Sequence, residues 1–135
     1  MGLLQLNSFY ENIEKRKVVA YKYRELLKDL KGISMLPEPE HTISNYAYFP
    51  IFVNEKEYGM SRDALYEKLK QNNIIFGRRY FYPLISEFSM YKGLESSNPE
   101  HLTIAHKMAN EVICLPIYPG LDLEKVYVIS DIITK

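Results

Sequence analysis

Tyr46-Ala47-Tyr48-Phe49-Pro50-Ile51-Phe52-Val53 is the stretch on which the fold turns. Ala47, Phe49, Ile51 and Val53 alternate with Tyr46, Tyr48, Pro50 and Phe52. That is the two-residue period of a β-strand, apolar on one face and aromatic on the other. Pro50 brings no amide hydrogen to a ladder, so its position must face an edge or a gap.

Upstream the period changes. Leu6, Phe9, Ile13, Ala20, Tyr23, Leu27 and Leu30 recur at spacings of three and four, interrupted at Arg16, and predict one long helix. Neither Gly nor Pro interrupts it between Gly2 and Gly32, and Gly32 is placed to stop it as a left-handed cap. Roughly thirty residues at about 1.5 Å each would reach about 45 Å, longer than a domain of this size needs. Such a helix is expected to dock against more than its own core, or to form a seam between two copies. Ile33 to Leu36 reads as a short strand, and Pro37 to Thr42 as a loop.

Downstream, Ser61 predicts a helix cap, with Leu65 and Leu69 facing inward and an end near Asn72. Ile74 to Phe76 begins another strand, running through Gly77-Arg78-Arg79 towards Tyr82-Pro83. Asn98-Pro99 reads as a cap followed by a first-turn proline, with Leu102, Ala105, Met108, Ala109 and Val112 as the buried stripe. Ile113 to Ile117 is a strand, Tyr118-Pro119-Gly120 a turn, and Asp122 the cap of a last helix lined by Val126, Ile129 and Ile133. The predicted class is α+β: a small, mostly antiparallel sheet covered by helices and preceded by one long helix. The predicted division is a helix over 1–31 and an α+β unit over 32–135.

Composition narrows the function. The chain has 135 residues, 47% of them apolar and 25% charged, which is a globular balance. Seventeen basic residues match seventeen acidic ones, leaving no electrostatic footprint for nucleic acid or anionic lipid. No apolar run is long enough for a bilayer, and Cys114 stands alone, so the expectation is a soluble, cytoplasmic protein without disulfides. There is no glycine-rich phosphate loop, paired-cysteine metal site or nucleophile elbow. His101 and His106 lie about 140° apart around a helix and cannot share a metal there. No catalytic, cofactor-binding or metal-ligating residue is predicted from spacing.

Two features stand out. The chain holds twelve tyrosines and no tryptophan, with tyrosine pairs at Tyr46/Tyr48 and Tyr80/Tyr82. Aromatic faces with polar tips suit a concave site for a flat or sugar-like ligand, and equally the packing of an exposed sheet face. The second feature is Arg78-Arg79-Tyr80-Phe81-Tyr82-Pro83-Leu84. Only one of two adjacent strand arginines can turn inward, where it could clamp a phosphate or carboxylate; a surface ion pair is the plain alternative.

The series Gly2-Leu3-Leu4-Gln5-Leu6, Ser44-Asn45-Tyr46-Ala47-Tyr48-Phe49-Pro50-Ile51, Arg78-Arg79-Tyr80-Phe81-Tyr82-Pro83-Leu84 and Ala105-His106-Lys107-Met108-Ala109-Asn110-Glu111-Val112-Ile113-Cys114-Leu115-Pro116 covers nearly the whole chain in order. It resembles the C-terminal part of the DegT/DnrJ/EryC1/StrS sugar aminotransferases, which use pyridoxal phosphate on the aspartate-aminotransferase fold. The run from Arg79 to Pro83 looks most like members acting on nucleotide-linked 3-keto-6-deoxyhexoses. The resemblance implies that the cofactor's lysine and phosphate site belong to a larger preceding domain. It also implies that this segment is a clipped or excised C-terminal domain, inactive alone. It further implies that Arg79, Tyr80 and Tyr82, with Asn45 and Tyr46, bind the sugar nucleotide, and that glutamate donates the amino group. The expected partners are the missing large domain and a second copy along the long helix. The alternative is a non-enzymatic α+β module that binds a metabolite or mediates oligomerisation.

Overall fold

A computed structural model describes residues 6–38, 40–72, 78–80 and 82–135. In chain order the elements are α1 (Phe9–Leu27), β1 (Ile33–Met35), β2 (Phe49–Val53), α2 (Glu55–Tyr58), α3 (Arg62–Gln71), β3 (Arg78–Arg79), α4 (Thr103–Glu111), β4 (Val112–Leu115) and α5 (Leu123–Thr134). The four strands form one antiparallel sheet in the order β1-β2-β4-β3. The α+β class and the helical cover are therefore as the periodicity predicts. The predicted strand start at Ile74–Phe76 lies outside the described residues, as do Leu3 and Phe81. No described helix is long and apolar enough to cross a membrane.

Opposed residues of a ladder share a face. Ile33 faces Val53, Met35 faces Ile51, Phe49 faces Leu115, and Ile51 faces Ile113. These side chains form the inner face, which α1, α3 and α5 cover with Tyr23, Leu27, Leu65, Leu69, Val126, Ile129 and Ile133. Leu65 and Leu69 are fully buried, each contributing roughly 1.5–3 kcal/mol of apolar transfer. The outer face carries Ser34, Pro50, Phe52, Val112 and Cys114. There α4 packs over the sheet, closing an apolar cavity of about 300 Å³ lined by Phe52, Tyr80, Met108 and Val112, among others. Cover on both faces explains why all four residues of β4 are buried, and hence why Val112–Leu115 reads as an unbroken apolar run.

Caps hold as predicted at two helices. Ser61 Oγ accepts from the Ala64 amide at 3.2 Å, and Asp122 Oδ1 from the Glu124 amide at 3.0 Å. Four local expectations are corrected. The helix α1 spans 19 residues, about 28 Å. Before it, Ser8 leaves helical geometry at φ −104° and ψ 6°, and its hydroxyl accepts from Asn12 Nδ2 at 3.3 Å. The helix also ends at Lys28, so Gly32 is not its cap, although Gly32 does take φ +80°. Gly32 instead turns the chain into β1, where its carbonyl accepts from the Asn54 amide at 2.8 Å. Tyr46 takes φ +48°, so β2 starts only at Phe49. Finally, α4 starts at Thr103 instead of Asn98-Pro99: Asn98 Oδ1 accepts from the Glu100 amide as a cap would, but the turn it opens stops at Leu102, whose φ −115° and ψ 30° leave helical geometry. Of its predicted stripe only Ala109 is buried within the helix; Val112 belongs to β4, and Met108 is 38% exposed.

Pro50 sits in an inner strand opposite Cys114. Its lack of a donor is tolerated because pairing with β1 stops one residue away, at Met35 and Ile51. The predicted gap is the end of a short neighbour.

Candidate functional site: an arginine–tyrosine stack at the sheet edge

Strand β3 forms one edge of the sheet, and its two arginines point to opposite faces. Arg79 lies opposite Ile113 and so faces the inner side of the sheet, above the first turn of α3. Its Nε is 3.1 Å from Asp63 Oδ1, and Arg62 Nε is 2.8 Å from the same oxygen. Both are ion-pair contacts rather than well-aligned hydrogen bonds, since neither Nε finds a directed acceptor. Arg62 is 3% exposed and spends Nη1 on the Val112 carbonyl at 2.8 Å, which ties α3 to β4.

Tyrosine rings flank the cations. The Tyr82 ring lies beside both, 5.4 Å from Arg62 and 5.2 Å from Arg79, while Arg79 also stands 4.8 Å from the Tyr66 ring. Arginine over an aromatic face is attractive, and more so when partly desolvated. The stack holds two guanidinium groups against one paired carboxylate, so a positive charge is left over at this edge. No described acceptor occupies the Nη groups of Arg79, whose side chain is 31% exposed. Chemically, this is a pre-set donor fork beside aromatic faces, suited to a phosphate or carboxylate carried on a ring-bearing ligand.

The five candidate residues separate into three places. Arg79 and Tyr82 meet in the stack. Tyr80 belongs to the other face, its ring 4.9 Å from that of Tyr48. Nearby, Arg78, Tyr48 and Tyr118 line a cleft of about 320 Å³ with Cys114 among its walls. Burial pushes the Cys114 thiol up to about 11, so it stays neutral near pH 7 and is no nucleophile. Tyr46 turns towards α1, where its hydroxyl donates to Glu38 Oε1 at 3.3 Å and Tyr21 donates to Oε2 at 2.9 Å. Desolvation, then the Glu38 carboxylate, push the Tyr46 hydroxyl up to about 12. Asn45 Oδ1 accepts from the Ala47 amide at 3.0 Å, a turn bond that engages the oxygen locally.

Arg62, Asp63 and Tyr66 escaped the sequence reading. A signal was present: Arg62, Leu65, Tyr66 and Leu69 fall at helical spacing on one stripe, so a cation stood on a buried face.

The histidines and lysines carry no comparable geometry. His106 Nδ1 is 3.9 Å from Glu87 Oε1, and His101 is exposed. Among the described residues no cluster of His, Cys, Asp and Glu could hold a metal. A lysine that holds pyridoxal phosphate covalently needs a desolvated setting. None of the described lysines is buried, and Lys56 and Lys107, which border a cleft of about 520 Å³, are exposed. These residues do not fit that cofactor.

Comparison with known proteins agrees with the fold. Residues 1–134 match the DegT/DnrJ/EryC1/StrS aminotransferase family. The chain is 47% identical over 132 residues to an Escherichia coli dTDP-4-amino-4,6-dideoxy-D-glucose transaminase, covering 98% of this chain and 35% of that protein. A Shigella dysenteriae protein of the same name is 39% identical, over 97% of this chain and 35% of its own length. The crystal structure of DesI with its TDP-sugar product superposes with a TM-score of 0.88 at 28% identity, covering 99% of this chain and 33% of that one. The chain thus spans about a third of the length of the relatives it matches.

Proposed function

The chain belongs to the DegT/DnrJ/EryC1/StrS aminotransferase family, and from that membership we propose that it is the C-terminal third of a nucleotide-sugar transaminase. The substrate would be a dTDP-linked 4-keto-6-deoxyhexose, with glutamate as amino donor. The 47% identity to a dTDP-sugar transaminase is the observation that carries this reading. The position follows the relatives' names, which carry the amino group at carbon 4, where the run from Arg79 to Pro83 alone suggests carbon 3. Pyridoxal phosphate would supply the electron sink, held by residues outside this segment. Within the segment, Arg79 and Tyr82 would bind the diphosphate and its ring-bearing neighbour from the sheet edge. Tyr80 would border the same substrate from the outer face, and Asn45 and Tyr46 would shape the loop before β2. The segment over 1–31, which contains α1, would join the two parts of the enzyme, and the work would be done in the cytoplasm.

A chimera tests the proposal. Residues 1–135 replace the matching third of the E. coli relative, and amino-sugar formation from the dTDP-keto sugar is followed with glutamate as donor. The chimera is expected to turn over, and the 135-residue chain alone to show no turnover with added cofactor. A folded chimera that binds the cofactor yet leaves the sugar nucleotide unchanged would favour the non-enzymatic module.

We propose, in addition, that separate copies of the chain associate along α1. Leu6 is 61% exposed and Phe9 44%, at the end of the stripe that enters the core at Val19. Exposed apolar area of this kind tends to find a partner. Sedimentation at high concentration should show a dimer that Leu6→Glu dissociates. A strict monomer, indifferent to that change, would refute it.

A further inference from the structure

We infer that Asp63, on the first turn of α3, is a positioning residue that holds Arg79 ready for an anion. The inference rests on the proposed reading of Arg79 as an anion contact and adds a second element, α3, to that site. Asp63 Oδ1 touches Nε of both Arg62 and Arg79. Arg62 is immobile, being 3% exposed and bonded to the Val112 carbonyl, so the carboxylate it holds is a fixed anchor. The ion pair with Asp63 keeps the Arg79 guanidinium at this edge, with the Tyr66 and Tyr82 rings 4.8 and 5.2 Å from it. No described acceptor occupies its Nη groups, and the side chain is 31% exposed. An arginine free in solvent would have to give up rotamer freedom on binding, and this one has already done so.

The sign of one substitution separates positioning from plain electrostatics. Removing a carboxylate next to an anion site strengthens anion binding by Coulomb's law alone. Removing an anchor weakens it. The probes are inorganic diphosphate and thymidine diphosphate, titrated into the 135-residue chain by NMR. Asp63→Asn, which keeps the size of an exposed side chain, is expected to raise both dissociation constants about three- to tenfold. Asp63→Glu should recover part of the loss. The Arg79 Nε–Hε resonance supplies a second readout: ordered in the parent chain and in Asp63→Glu, averaged in Asp63→Asn.

Unchanged or tighter binding in Asp63→Asn, with the amide spectrum intact, overturns the inference, as does an Arg79 resonance that stays ordered without Asp63. Arg79→Ala tests the underlying reading separately. If it leaves diphosphate affinity unchanged, Arg79 is no anion contact and the role given to Asp63 falls with it. If Arg79→Ala weakens binding while Asp63→Asn does not, the anion contact stands and only the anchor is refuted.

Discussion

Arg79→Ala, placed in the E. coli chimera, is expected to raise the KM for the dTDP-keto sugar roughly ten- to a hundredfold. A charge-assisted hydrogen bond to a phosphate contributes about 1.5–3 kcal/mol, and each 1.4 kcal/mol is a factor of ten. Arg79 is suited to that contact because Asp63 meets its Nε, no described acceptor occupies its Nη groups, and its side chain is 31% exposed. The glutamate half-reaction involves no diphosphate and should be nearly unchanged. Each half-reaction can be followed separately through the cofactor spectrum, so the two values are independent. Equal loss in both would mean that Arg79 supports the edge of the sheet through Asp63 and Tyr66. No loss in either, with a loss in Arg78→Ala, would transfer the anion contact to the opposite face, where Arg78 shares a cleft with Tyr48 and Tyr118.

Gly32→Ala is expected to cost about 3–5 kcal/mol of folding free energy, from two separate causes. The residue takes φ +80°, where an alanine pays roughly 1–2 kcal/mol. In addition, a Cβ at Gly32 would lie 2.3 Å from the Tyr58 amide nitrogen and 2.7 Å from its Cα. Backbone has no rotamer to swing away, so α2 itself must shift. That shift would also strain the bond from the Tyr58 hydroxyl to the Ile133 carbonyl, at 2.6 Å, which joins α2 to α5. Gly59→Ala is the internal control. Gly59 has φ +83° but nothing within 4 Å of a new Cβ, so it should lose only the conformational part, about 1–2 kcal/mol. Urea denaturation of both variants gives the difference. A Gly32→Ala loss within 1 kcal/mol of the Gly59→Ala loss would show that the close approach to Tyr58 relaxes freely.

Much of this architecture was legible from local patterns. The alternation from Phe49 to Val53, the Ser61 and Asp122 caps, and the stripes Leu65/Leu69 and Val126/Ile129/Ile133 each depend on contacts a few residues apart. Such contacts are written into spacing, because the periods of helix and strand are fixed by backbone geometry. Helix ends were less legible. Ser8 and Leu102 each leave helical geometry inside a stretch whose spacing reads as helix, and side-chain spacing does not mark such backbone breaks.

The candidate site lay at the limit of that legibility. Adjacent arginines at 78 and 79 must face opposite ways, and the sequence alone determined that much. It also determined that Arg62 stands on the same helical stripe as Leu65 and Leu69. Which of them faces the inner side, towards α3, follows from strand register: Arg79 pairs with Ile113, whose side chain lies in the core. Register depends on how β4 meets both of its neighbours, through contacts far apart along the chain, and a one-residue slip would exchange the two arginines. The same long-range packing brings Asp63 of α3 beneath β3 and turns Tyr46 towards Glu38 and α1, away from the other tyrosines. Residue types and periods were local facts; which of those residues share one carboxylate was settled by the sheet.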